Sequence, residues 1–210
     1  MTDALGPPVE GQWLVLNPPG HPRYAFDLVA IDEASGRYST RRLAGLLAGR
    51  ASVDDIHGWS RPVLAPLDGV VTASHDAERD RRRLFPLVDV PANFFFRPVL
   101  HRNSVERMAG NHVVLSTSAG YVLVAHLQQG SVGVRPGEHV AAGNRLGLVG
   151  NSGNSLGPHL HIQVMDGPDP MAASVVPFRM RRYRRLADAV SGVVVDAPLP
   201  DRVTRVDFGE

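Results

Sequence analysis

Two histidines separated by one residue are the strongest candidates for chemistry in this sequence. His159 and His161 lie in the segment GPHLHIQV, residues 157–164, at the head of a predicted strand. Because alternate residues of a strand point to one face, both imidazoles are expected on the same side, about 6.6 Å apart along the backbone. One ring could then bind a metal ion while the other reaches a bound water or a substrate oxygen. The alternative is a partly buried polar pair without chemistry.

A third histidine stands in the apolar segment YVLVAHL, residues 121–127, which reads as a strand. Its alternation predicts that His126 lies on the face of Val122 and Val124, an otherwise apolar side. A single histidine in such a place is more often a hydrogen-bonded core residue than a functional group.

His21 and Asp27 form the last candidate pair and are six residues apart. In an extended chain they would be about 20 Å apart, so both can touch one ion only if the segment folds back. The neighbouring Pro18, Pro19, Gly20 and Pro22 make such a bend plausible.

The composition predicts which kind of fold positions these residues. The 210 residues suffice for one full core, and 21 glycines with 17 prolines favour many tight turns and short strands. We expect a mainly β single domain, an antiparallel sheet or sandwich-like structure with a groove and few short helices, one of them over residues 40–50. The predicted divisions are an N-terminal lead (1–12), the main domain (13–178) with a long insertion loop (76–111), and an arginine-rich C-terminal extension (179–210).

Charge and residue usage exclude several functions. The formal charge is +1, and the chain is expected to bind neither nucleic acid nor membrane. All 22 basic residues are arginine, which removes lysine-dependent chemistry such as Schiff bases and biotin or lipoyl attachment. Without cysteine, a metal must be held by His, Asp or Glu. The first ten residues lack the pattern of a signal peptide, so a cytoplasmic location is expected unless a leader was trimmed or export is non-classical.

Taken together, the motifs resemble the lysostaphin/LytM-type zinc metallopeptidases, a family of cell-wall endopeptidases with a duplicated hybrid motif fold. The matching features run from about Trp13 to Phe178. They are the early His and Asp pair, the strand VLAPLDGVV at 63–71, the YVLVAHL element, the PGE…V…G…LG…VG hairpin at 136–150, and GPHLH at 157–161. One difference is the spacing of the first pair, which is usually four residues in the family and six here.

The resemblance implies roles for individual residues. His21, Asp27 and His161 would bind Zn²⁺, and His126 and His159 would be the catalytic histidines. Such a ligand set leaves the fourth tetrahedral position open, as in catalytic zinc sites. A metal-bound water would attack the peptide bond, with one histidine as general base and the other stabilising the oxyanion. The expected substrate is a crossbridge or stem peptide of peptidoglycan.

Other interpretations remain open on the sequence alone. Asn111, just before a predicted strand, is a candidate substrate-binding residue or simply a turn residue. The whole domain could be a non-catalytic peptidoglycan-binding or regulatory module that keeps the groove. A phosphocarrier using His126 and His159 is a weaker alternative, because it would not need His21 or Asp27.

Overall fold

The computed structural model describes residues 3–49, 51–95, 104–187, 190–200 and 202–209. Its strands are β1 Gln12–Leu16, β2 Phe26–Ala30, β3 Ala51–Ser52, β4 Pro62–Leu64, β5 Gly69–His75, β6 Arg83–Leu84, β7 Asn111–Thr117, β8 Gly120–Leu127, β9 His139–Val140, β10 Arg145–Leu148, β11 Leu160–Met165, β12 Val175–Val176, β13 Met180–Ala187, β14 Val190–Ala197 and β15 Thr204–Asp207. Its helices are α1 Leu43–Leu47, α2 Pro86–Phe95 and α3 Val105–Ala109, with a 3-10 turn at Val53–Asp55.

Within the described residues, one large antiparallel sheet dominates the molecule. Ten of its strands follow the order β14-β13-β15-β1-β2-β11-β8-β7-β5-β9, and β12 pairs with β11. Strand β2, from the beginning of the chain, therefore lies between β1 and β11, which comes late in the sequence. The predicted mainly β, antiparallel fold with few short helices is confirmed.

The central strand β11 is buried on both of its faces. Leu160, Ile162 and Val164 point into the main core. The intervening His161 and Gln163 are also buried, on the opposite face, where Met165 packs in a smaller cluster. The period-two alternation thus places polar and apolar side chains on separate sides of the sheet.

A second, two-stranded sheet covers the main core. β4 and β10 pair with each other, and their Val63 and Leu146 belong to the same buried cluster as Leu160. Two layers of strands therefore enclose this core, which agrees with the sandwich-like prediction.

Residues 76–111, predicted as a long insertion loop, contain short regular elements. The segment contains β6 and two helices, although residues 96–103 lie outside the described parts. Pro86 begins α2, where its fixed φ suits the first helical turn. Ser104 caps α3 by accepting a hydrogen bond from the backbone N–H of Arg107. In the sequence, a single proline and a single capping serine are less conspicuous than the arginine and phenylalanine runs that indicated an insertion.

The helix predicted over residues 40–50 is shorter than expected. α1 begins at Leu43, and Ser39 instead accepts a hydrogen bond from Arg41 N–H in the turn before it. Gly49, at φ +66°, follows the helix in a left-handed conformation.

The C-terminal segment 179–210 continues the main sheet. β13 pairs with β14 and β15, and β15 pairs with β1. Tyr183 and Val206 from this segment are buried in the main core. The strands of this segment are therefore packed into the domain and do not form a separate appendage. In the described residues no helix has the length and apolar character needed to cross a membrane.

Candidate active site

Three neighbouring strands bring the candidate residues to one face of the sheet. In the antiparallel register, His161 on β11 lies opposite Asp27 on β2 and opposite Ala125 on β8. Directly paired residues have their side chains on the same face, about 4.5–5.5 Å apart between Cβ atoms. The pairing of β2 with β11 thus brings Asp27 to His161 across 134 positions of sequence.

His21 reaches the same site because the segment before β2 folds back, as expected. The N–H of His21 donates to Pro18 O, and the N–H of Ala25 donates to Pro22 O. Asn17 stabilises this turn from inside, since its amide donates to the carbonyl oxygens of Pro22 and Ala25. The six-residue spacing is accommodated by these two turns.

The side chains of His21, Asp27 and His161 converge as a possible metal site. One ligand atom from each residue lies within 4.8 Å of the other two. His161 Nδ1 is 2.9 Å from Asp27 Oδ1, and His21 Nε2 is 3.7 Å from Asp27 Oδ2. Two imidazole nitrogens and one carboxylate are the donors expected of a catalytic zinc site, so this donor set fits the ion.

His126 does not lie on the face that the alternation predicted. Between β7 and β8 the register shifts, so that Ala125 and His126 oppose the single residue His112. His126 has φ +62°, and the next residue, Leu127, returns to the core shared by Val122 and Val124. This β-bulge turns the histidine to the opposite face, where its ring centroid is 6.0 Å from that of His161.

His126 and His159 form a close pair beside the candidate ligands. Their ring centroids are 4.7 Å apart, and His159 Nε2 is 3.6 Å from Asp27 Oδ2. His159 and His161 are therefore on one face, as their spacing predicted.

Backbone carbonyls fix how these two rings are oriented. His126 Nδ1 is 3.0 Å from Ser152 O, and His159 Nδ1 is 2.8 Å from Gly157 O. Because a carbonyl oxygen only accepts, Nδ1 must carry the proton in both rings. In the neutral form of each ring, Nε2 is then the nitrogen without a proton.

Burial and neighbouring charges shift the pKa values of the site in different directions. Burial lowers the pKa of His126 well below its usual value, and the nearby His159 and His161 add to this effect. Burial would also lower the pKa of His159, but the Asp27 carboxylate outweighs it and raises that pKa. Burial opposes ionisation of Asp27, yet the charges of His159 and His161, together with the hydrogen bond from His161, hold its pKa well below the usual range.

Asn111, the tentative substrate-binding candidate, is held by several structural contacts. Its side chain is fully buried, with Oδ1 accepting from Glu78 N–H and Nδ2 donating to the carbonyls of Glu78 and Leu127. These contacts engage both polar atoms of the side chain. They tie Asn111 to the strand end that carries the β-bulge next to His126.

Sequence reasoning missed two buried polar residues that support the site. Ser152 Oγ donates to Leu127 O and accepts from Asn111 N–H, while its own carbonyl accepts from His126. Gln163 Oε1 lies 3.0 Å from His161 Nε2. Only Gln163 could have been identified from the sequence, because a residue two positions after His161 in a strand lies on the same face.

Comparison with known proteins agrees with the motif resemblance. Residues 98–173 match the model of peptidase family M23. A segment of 84 residues is 34% identical to the peptidoglycan DD-endopeptidase ShyA of Vibrio cholerae. This segment is 36% of the present chain but only 19% of ShyA.

Solved structures of this group are also similar at low identity. A putative peptidase M23 from Pseudomonas aeruginosa is 19% identical over 78% of this chain and 44% of its own, with a TM-score of 0.41. The catalytic domain of lysostaphin from Staphylococcus simulans is 16% identical over 83% of this chain and 85% of its own, also with a TM-score of 0.41. The match of residues 98–173 to peptidase family M23 and the segment shared with ShyA confirm the predicted resemblance.

Proposed function

We propose that this protein is a zinc-dependent endopeptidase. The observation that carries the proposal is the convergence of His21, Asp27 and His161 on one spot, with His126 and His159 directly beside it. Five residues from three distant parts of the sequence meet on one face of the sheet. A purely structural polar cluster would not need three potential ligands and two further imidazoles aimed at the same place.

Each residue has a defined task in this proposal. His21, Asp27 and His161 would hold the zinc ion. When bound, zinc acts as a Lewis acid and lowers the pKa of a water molecule to about 7. The Nε2 atoms of His126 and His159 are free of the backbone, so one can accept a proton as general base. The other can donate a hydrogen bond to the oxygen on which negative charge develops.

The proposed substrate is a crossbridge or stem peptide of peptidoglycan. Support comes from the match to peptidase family M23 and from the segment shared with ShyA, a peptidoglycan DD-endopeptidase. A phosphocarrier is disfavoured, because its chemistry would leave the convergence of His21 and Asp27 with His161 without a purpose.

The experiment measures zinc content and peptide cleavage on the same preparations. Untagged protein is reloaded with zinc, its metal is counted by plasma mass spectrometry, and hydrolysis of purified peptidoglycan fragments is followed by chromatography. We expect about one zinc per chain. His161→Ala and Asp27→Ala should abolish zinc binding and His21→Ala should weaken it, whereas His126→Ala should keep zinc but lose turnover.

His139→Ala is the matched control, since His139 is exposed on β9 and outside the cluster. Absence of zinc after reloading would overturn the hydrolase proposal. One zinc per chain with fragment binding but no cleavage would support the non-catalytic binding module instead. A zinc-free His126→Ala protein would refute the division of roles between ligands and catalytic histidines.

A further inference from the structure

The buried amide of Gln163 lies against a candidate ligand and has no part in the function proposed so far. Gln163 follows His161 by two residues on β11, so both side chains point to the same face. Its side chain is buried, and Oε1 is 3.0 Å from His161 Nε2. The other ring nitrogen, Nδ1, faces Asp27 Oδ1 at 2.9 Å.

The two nitrogens of a neutral imidazole cannot both be available to a metal. One carries the proton, and the other keeps the lone pair that binds the ion. Nδ1 of His161 is the nitrogen that faces Asp27, so binding there requires the proton on Nε2. A buried N–H without an acceptor is costly, and Gln163 Oε1 is placed to accept from it.

Asp27 makes this requirement stricter. Its carboxylate is an acceptor at hydrogen-bonding distance from Nδ1, so it favours the tautomer in which Nδ1 carries the proton and has no lone pair to offer. His126 and His159 are held in that tautomer by backbone carbonyls. His161 differs from them because a side-chain amide faces its Nε2 atom.

We propose that Gln163 is a positioning residue that keeps His161 in the tautomer with the proton on Nε2 and thereby sets the affinity of the site for zinc. The inference rests on the ligand set of the proposed function. Gln163 acts only through His161 and does not touch the substrate. Its amide must present oxygen to the ring when the ion is bound.

The test compares variants that remove or keep the acceptor. Gln163→Leu has no acceptor and should bind zinc about 10- to 100-fold more weakly, the usual effect of losing an outer-shell partner. Gln163→Glu keeps an oxygen at that position, so its affinity should stay within a few-fold of the unmodified protein or increase. Affinity is measured by competition with a chromophoric chelator. In the zinc-loaded proteins, nitrogen-15 NMR should detect the His161 Nε2–H protected from exchange in the unmodified and Glu proteins.

Gln129→Leu is the matched control, because it makes the same replacement at an exposed position. Circular dichroism checks that each variant is folded. Equal zinc affinity for Gln163→Leu and the unmodified protein would overturn this inference alone, and so would a tenfold loss in Gln163→Glu. Failure of the unmodified protein to bind zinc would overturn the proposed function together with the positioning role.

Discussion

Ser152→Ala should destabilise the fold by about 2–4 kcal/mol, although it removes a single oxygen. In the structure this oxygen makes two buried hydrogen bonds, donating to Leu127 O over 2.7 Å and accepting from Asn111 N–H over 2.9 Å. After the substitution Leu127 O keeps the bond from the Asn111 amide, but the buried Asn111 N–H loses the Ser152 Oγ acceptor. A lost hydrogen bond contributes about 1 kcal/mol, and a buried unsatisfied donor adds about 1–3 kcal/mol.

Urea denaturation followed by fluorescence or circular dichroism gives the free energy of unfolding for this comparison. Ser118→Ala, at an exposed position, is the control and should change it by less than about 0.5 kcal/mol. Since the Ser152 carbonyl also holds His126, the variant should lose part of its turnover while keeping its zinc. A destabilisation below about 1 kcal/mol would refute the argument that this buried network maintains the bulge.

Two further predictions concern packing and pH. Gly150→Ala should destabilise the protein by at least about 2 kcal/mol, because the new Cβ would lie 2.3 Å from Gln128 N; Gly133→Ala, with open space around it, should be nearly neutral in the same denaturation assay. Burial lowers the pKa of His112, with His75 adding to the effect and the Gly110 carbonyl and Glu106 opposing it. The unfolded chain therefore binds a proton at His112 more readily than the folded protein does. The free energy of unfolding that neutral His112 contributes above about pH 6.5 should be lost as the pH falls below that value. His112→Asn, whose amide can still donate to Gly110 O, should reduce the loss of unfolding free energy between about pH 8 and about pH 5.5; an unchanged pH dependence would contradict the assignment.

Residue spacing predicted the parts of the fold that depend on strand periodicity. The common face of His159 and His161 and the strand carrying Asp27 follow from alternation and from the turn-forming prolines. The orientation of His126 did not follow, because a β-bulge depends on the register between β7 and β8 and leaves no mark in the sequence of one strand. The helices within 76–111 were not predicted, because the charged and aromatic runs of this segment indicated an insertion loop.

Long-range pairing also limited what the sequence could predict. Nothing in the arginine-rich segment after Phe178 indicates that β13 and β15 pair near β1, since such pairing depends on partners far away in the chain. The support given by Ser152 and Asn111 was missed for the same reason. Their hydrogen bonds join the ends of β7 and β8 to a loop about forty residues further along.

The neighbouring positions of β2 and β11 have a consequence for how the protein acquires its site. Asp27 and His161 are separated by 134 positions, so the proposed ligand set cannot exist until the polypeptide has been synthesised past β11 and the two strands have paired. Contacts between residues so far apart in sequence form late in folding, because the entropy cost of closing the intervening loop comes before the stabilisation from strand pairing. Zinc uptake during refolding should therefore report the completion of the central sheet. A chain still on the ribosome would have no complete zinc site.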